Sequence, residues 1–122
     1  MNIKVVFFVG LPGSGKTTLL SKINDGFIID DFAVNQYFLE KFKENPESIL
    51  YIADPLLCSA TKEKAEGYLK EKLSDFNIIH FEWNMFENNL EAAWSNVESR
   101  KDDRVINYCF MKHLSKSYSE NY

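Results

Sequence analysis

Gly10-Leu11-Pro12-Gly13-Ser14-Gly15-Lys16-Thr17 constrains this chain more than any other segment. It fits the pattern G-x-x-x-x-G-K-[ST] without a mismatch. At average glycine usage of about 7%, a chance match in a chain this long is on the order of one in a few hundred. The flanks agree with it. Ile3–Val9 is apolar and β-rich, as a strand covered on both faces is. Lys16–Ile23 reads as a short helix. Strand, glycine-rich turn and helix in that order build a loop whose N–H groups converge on phosphate oxygens, aided by the positive end of the helix. Gly10, Gly13 and Gly15 permit dihedrals and close approaches that a Cβ forbids. Lys16 supplies a compact charge at the β/γ-phosphates of a nucleotide, ATP or GTP. Thr17 offers its hydroxyl to Mg²⁺, which prefers hard oxygen ligands. Gly10 through Thr18 form the expected nucleotide-binding segment.

Composition narrows the class. The chain has 122 residues, 45% of them hydrophobic and 26% charged. That predicts one domain, residues 1–122, able to build a core without disulfide staples. The formal net charge is −4, with no basic block. A nucleic-acid binder held by a broad positive face is thereby disfavoured, although a local phosphate site is not. Cys58 and Cys109 show no metal-ligand spacing. They point to a reducing, cytoplasmic setting rather than a disulfide scaffold. No apolar run approaches the ~18–20 residues a membrane span needs, so no membrane partner is expected. Val5–Val9 makes a poor signal peptide.

Strands and helices alternate along the rest of the chain. Phe27–Ile29, Ile49–Ala53 and Asn77–Glu82 read as strands. Val34, Phe38 and Phe42, four residues apart, predict a helix over Phe32–Glu44, ended by Asn45-Pro46. Thr61 is placed to cap a helix whose stripe is Ala65, Leu69 and Leu73. A helix from about Asn88 carries Leu90, Trp94 and Val97. A last helix from about Arg104 to Tyr118 is expected to bury Ile106, Phe110 and Leu114. This alternation predicts an α/β fold, a P-loop-type three-layer sandwich. Its sheet is mostly parallel, of about four strands, with helices on both faces.

Carboxylates at the ends of these strands are the candidates for chemistry. Asp30 and Asp31 end the second strand, and the C-terminal edge of a parallel sheet faces the ligand crevice. Either is placed to accept a proton from an attacking hydroxyl. Alternatively, Asp31 caps the following helix and Asp30 is solvated. Asp54 ends the third strand, where a carboxylate can hold Mg²⁺, or can simply start a turn before Pro55. Arg100 and Arg104 are the only arginines. Asn89, Ala93, Asn96 and Arg100 share one helix face. A lid hinged near both arginines would bring a non-titrating charge to a phosphoryl group in flight. Phe81, Trp83 and Phe86 at the end of the fourth strand are more simply packing residues than a platform for a base. His80 and His113 have no partner pattern.

Val5–Leu20, the Asp30-Asp31 pair and the Asn96/Arg100 helix together resemble small P-loop kinases of the phage polynucleotide-kinase type. That wider group includes adenylate-kinase-like nucleoside and nucleotide kinases. The segment Phe86-Glu87-Asn88-Asn89 with Trp94-Ser95-Asn96 and Arg100 looks like that of small phage proteins described as kinases or ATPases. The resemblance implies a central parallel sheet, ATP–Mg²⁺ on Gly10–Thr17, and a lid arginine at Arg100 or Arg104. It also implies that an Asp at the end of the second strand, matched by Asp30 or Asp31, activates the acceptor hydroxyl.

The expected activity is transfer of the γ-phosphoryl group of ATP to a hydroxyl of a nucleoside, a nucleotide or a nucleic-acid 5′ end. Lys16, Mg²⁺ and an arginine would stabilise the charge, with metal contacts from Thr17 and Asp54. The alternative is a nucleotide-binding switch or interaction protein that acts through a protein partner. An exposed sheet edge also admits a homodimer.

Overall fold

The computed structural model describes residues 1–99 and 107–122. It is an α/β fold of the P-loop type, built on a four-stranded parallel sheet ordered β2-β3-β1-β4. The strands are β1 (Asn2–Val9), β2 (Phe27–Ile29), β3 (Ile49–Ala53) and β4 (Asn77–Met85). The helices are α1 (Lys16–Leu20), α2 (Phe38–Glu44), α3 (Lys62–Lys72), α4 (Leu90–Glu98) and α5 (Tyr108–Asn121). A 3-10 turn, Pro55–Ser59, follows β3. No helix among the described residues is long and apolar enough to cross a membrane.

Strand order determines where a ligand can sit. The chain leaves β1, passes through α1, and returns as β2 beyond β3. It then leaves β3 and returns as β4 on the other side of β1. β1 is therefore the switch point, flanked by β3 and β4, and the crevice lies off its C-terminal end. Register brings the loops together there. Phe8 pairs with Ala53 and Val9 with Met85, so β1, β3 and β4 end at nearly one level. Ile29 pairs with Ile52, which carries Asp30 and Asp31 to the same edge as Ala53 and Asp54.

Alternation along β1 supplies both faces of the sheet. Val5 and Phe7 join Ile52, Leu50 and Ile29 under Phe42 of α2 and Leu69 of α3. Val6 and Phe8 face the other way, with Tyr51 and Ala53, under Leu20 of α1. A third cluster joins Val9 and Leu11 to Cys58, Ala93 of α4, and Met111, Leu114 and Tyr118 of α5. Burying such apolar side chains stabilises the fold by roughly 1.5–3 kcal/mol each. The Thr61 cap forms as expected, its hydroxyl accepting from the Lys64 N–H. Asn89 and Asn107 cap α4 and α5 in the same way.

Three expected elements are redrawn. The helix expected over Phe32–Glu44 begins only at Phe38. Asp31 stands at φ +50°, and its carbonyl accepts from the N–H groups of Val34 and Asn35. The Asn35 side chain donates to the Asp30 carbonyl at 2.7 Å. Local bonds thus hold this stretch in turns, and Val34 is 76% exposed instead of lining a helix. The buried stripe of α5 is Met111, Leu114 and Tyr118, whereas Phe110 is 39% exposed. Ile106 lies outside the described residues. β4 runs on to Met85 because β1 continues to pair with it through Val9.

Candidate functional site

The loop after β1 holds its form through its glycines and its lysine. Gly13 and Gly15 adopt φ of +83° and +100°, a region that costs other L-residues about 1–2 kcal/mol. Lys16 is 94% buried, 6% exposed, and folds back over its own loop. Its ammonium donates to the carbonyls of Gly10 and Leu11, the latter at 2.7 Å, and to Ser14 Oγ at 3.2 Å. A buried charge needs such partners, and these oxygens keep the cation inside the cradle. Ser14 N–H donates to the Leu11 carbonyl at 3.1 Å, closing the turn.

Helix α4 packs directly on this loop. Asn96 donates its side-chain amide to the Gly13 carbonyl at 2.9 Å. A Cβ on Gly13 would lie 2.4 Å from the Ala93 carbonyl oxygen and 3.1 Å from Val97 Cγ2. Gly13→Ala is therefore expected to lower stability by about 2–4 kcal/mol, from the left-handed φ and the backbone clash together. Gly67→Ala is the control. Nothing lies within 4 Å of the added Cβ in the interior of α3, so a gain of about 0.5–1 kcal/mol is expected. Urea unfolding of both variants reads the contrast.

The carboxylates take distinct positions. Thr17 Oγ1 donates to Asp30 Oδ2 at 3.0 Å, joining the first turn of α1 to the end of β2. Asp30 Oδ1 accepts from the Asp31 N–H at 2.9 Å. Asp31 has its carbonyl in the turn that follows. Asp54 is 4% exposed, and its two oxygens accept from the N–H groups of Leu56 and Ala33. It caps the 3-10 turn and ties the β2–α2 connection to β3. Burial pushes its carboxyl above the ordinary value; the two backbone N–H groups pull it down, Asp31 pushes it up further, and Lys16 opposes. Beneath the loop, burial raises the Cys58 thiol to about 11, so it stays protonated and is a poor nucleophile.

The donor set suits Mg²⁺. Among the described residues, no group of three or more His, Cys, Asp or Glu is placed to hold a metal ion. Mg²⁺ bound with a nucleotide needs few protein ligands, because phosphates and waters complete its octahedron. The Thr17 hydroxyl, which donates to Asp30 Oδ2 at 3.0 Å, supplies one hard oxygen at the mouth of the loop.

Other sequence expectations distribute as follows. Asn89, Ala93 and Asn96 do share a face, and that face meets the loop. Arg100 and Arg104 lie outside the described residues. Phe81 and Trp83 pack on Phe7, the Trp83 ring at 4.1 Å and 19°, so they belong to the core side of the sheet. Phe86 lies against the loop, its Cβ 2.8 Å from where a Cβ on Gly10 would stand. His80 and His113 are exposed. Pattern reading missed Asn35 and Asn88. Asn88 donates to the Ser115 carbonyl and Ser119 Oγ at 2.9 and 2.8 Å, tying the start of α4 to α5. Nothing in their spacing signals these bonds, which depend on where the segments meet.

No family model matches the chain. The uncharacterized protein R277 of Acanthamoeba polyphaga mimivirus is 32% identical over 109 residues, covering 85% of this chain and 78% of that protein. The chain belongs to the R277 family. Among solved structures, a chain of the Pnkp1/Rnl/Hen1 RNA repair complex matches this chain with a TM-score of 0.64 at 13% identity. The match covers 98% of this chain and 45% of the solved one, so this chain spans less than half of the solved chain's length. At that identity the likeness is one of fold.

Proposed function

We propose that this chain binds ATP with Mg²⁺ on Gly10–Thr18 and transfers the γ-phosphoryl group to a hydroxyl of a nucleoside, a nucleotide or a nucleic-acid 5′ end. The Thr17–Asp30 hydrogen bond carries the proposal. It joins the predicted metal-binding hydroxyl of the phosphate loop to one of the two carboxylates, Asp30 and Asp31, expected to activate the acceptor. The P-loop-type fold, shared with a chain of an RNA repair complex, supports a nucleotide-handling role.

The loop N–H groups and Lys16 hold the donor phosphates. On nucleotide entry, Lys16 exchanges its Gly10 and Leu11 carbonyl partners for phosphate oxygens. Asp30 orients the acceptor hydroxyl and takes its proton. The acceptor oxygen forms the new bond to γ-phosphorus, the bond to the β–γ bridging oxygen breaks, and ADP leaves with that electron pair. The Thr17 hydroxyl would hold Mg²⁺, which when bound would supply charge neutralisation at the donor phosphates. In this assignment Asp54 works through structure, because it holds the Ala33 and Leu56 N–H groups. Arginine charge from Arg100 or Arg104 completes the proposed transfer site. Catalysis of this kind depends mainly on positioning and electrostatics.

The test is incubation of γ-labelled ATP with panels of nucleosides, nucleotides and 5′-hydroxyl oligonucleotides. Label on one acceptor class is the expected result. ATP binding with no acceptor labelled overturns the kinase assignment and favours a nucleotide switch acting through a protein partner.

A further inference from the structure

Helix α4 holds one particular peptide of the glycine-rich loop. Asn96 donates its side-chain amide to the Gly13 carbonyl at 2.9 Å. A trans peptide is planar, and its C=O and N–H point to opposite sides. Holding the Gly13 carbonyl toward α4 therefore turns the Ser14 N–H away from the helix and into the loop. There it donates to the Leu11 carbonyl at 3.1 Å. The Lys16 ammonium donates to the same oxygen at 2.7 Å. An N–H and a cation thus converge on one oxygen, which is the arrangement a phosphate oxygen needs in its place.

Gly13 makes this anchor necessary. It has no Cβ and stands at φ +83°, so the residue itself does little to fix the plane of the peptide that follows. Turned over, that peptide would aim a carbonyl at an incoming phosphate and its N–H outward. The helix that supplies the anchor is itself well held. Ala93 of α4 is buried with Leu11, Met111 and Leu114. Asn88, just ahead of α4, bonds to Ser115 and Ser119 of α5. Asn96 is exposed, so the fold does not depend on burying it.

We infer that Asn96 is a positioning residue for phosphate: it sets the Gly13–Ser14 peptide so that the Ser14 N–H faces the anion. The inference rests on the phosphate-binding part of the proposed function and requires no transfer reaction. Calorimetry with Mg²⁺–ATP and with inorganic tripolyphosphate tests it on wild type, Asn96→Ala, Asn96→Asp and Asn96→Gln. A hydrogen bond of this kind corresponds to about three- to tenfold in affinity. Asn96→Ala is expected to lose that much, equally for both probes. Asn96→Asp is expected to lose more, because a carboxylate beside the Gly13 carbonyl sets acceptor against acceptor and favours the turned peptide. Asn96→Gln keeps the amide and is expected to recover part of the loss. Thermal midpoints of all three are expected to stay close to wild type, as for other surface substitutions. Hydrogen exchange at the Ser14 amide is expected to quicken in Asn96→Ala, while that of Ala93, bonded to Asn89 within α4, is unchanged.

Affinities equal to wild type in both Asn96→Ala and Asn96→Asp overturn the inference. So does a loss confined to ATP, which would make Asn96 a contact of the nucleoside. A thermal midpoint that falls in step with affinity also overturns it, by assigning Asn96 to the stability of α4. Failure of the transfer reaction looks different. Both probes would then bind and respond to the variants while no acceptor takes label from ATP. Absence of binding by wild type with either probe removes the phosphate loop and this inference together.

Discussion

Asp30→Asn is expected to lower phosphoryl transfer by about 10²–10⁴-fold while leaving ATP affinity within a few-fold of wild type. Asparagine keeps the size of the side chain and an oxygen that can accept from Thr17 Oγ1, now 3.0 Å from the carboxylate. It cannot take a proton from the acceptor hydroxyl. The loss therefore belongs in kcat, with little change in the KM for ATP. Asp31→Asn separates the pair. Asp31 contributes its carbonyl to the turn through Val34 and Asn35, and its φ of +50° is one that asparagine also tolerates. Its loss is expected to stay below about tenfold, because only the acid–base contribution of Asp30 is large. A large loss in Asp31→Asn with a small one in Asp30→Asn would exchange the two roles. Steady-state kinetics on the labelled acceptor, with ATP affinity measured by calorimetry, decides between them.

Lys16→Ala is expected to reduce transfer by about 10²–10³-fold and to weaken ATP binding as well. The side chain is buried with its ammonium on the carbonyls of Gly10 and Leu11. Removing it takes away the charge proposed to meet the phosphates. It also leaves the Gly10 and Leu11 carbonyls without the ammonium they accept from. Both effects act on the bound nucleotide, so KM and kcat change together, unlike the Asp30 variant. Lys16→Arg is informative because it keeps the charge. The guanidinium fork is too broad for the position between two carbonyls and Ser14 Oγ, so recovery is expected to be partial. Full transfer in Lys16→Ala would remove the phosphate cradle from the proposed mechanism.

Much of the architecture is legible in the sequence. Continuous apolar runs mark β1 and β3 because strands buried on both faces have no polar side to show. Gly10–Thr17 is legible for a different reason. Its turn favours glycine at Gly13 and Gly15, where φ is positive. Thr61 announces its helix because a cap is a local bond that neighbouring residues satisfy. Periodicity misleads over Phe32–Glu44. Val34, Phe38 and Phe42 repeat at a helical interval, yet local bonds among Asp30, Asp31 and Asn35 hold the first part in turns, and the Phe32 and Ala33 N–H groups donate to Ala53 and Asp54 at the end of β3.

Sequence alone determined the alternation of strands and helices, the glycine-rich loop after β1, and the set of carboxylates at strand ends. Those are local properties, carried by hydrogen-bonding capacity, side-chain shape and spacing along one segment. Which carboxylate meets the loop was decided by tertiary structure. Asp30 reaches Thr17 and Asp54 reaches Ala33 because the order β2-β3-β1-β4 sets adjacent strand ends at one edge. The packing of α4 on Gly13 has the same origin. Each requires segments distant in sequence to approach within hydrogen-bond or van der Waals range, and a distance of that kind is not encoded in any one of them.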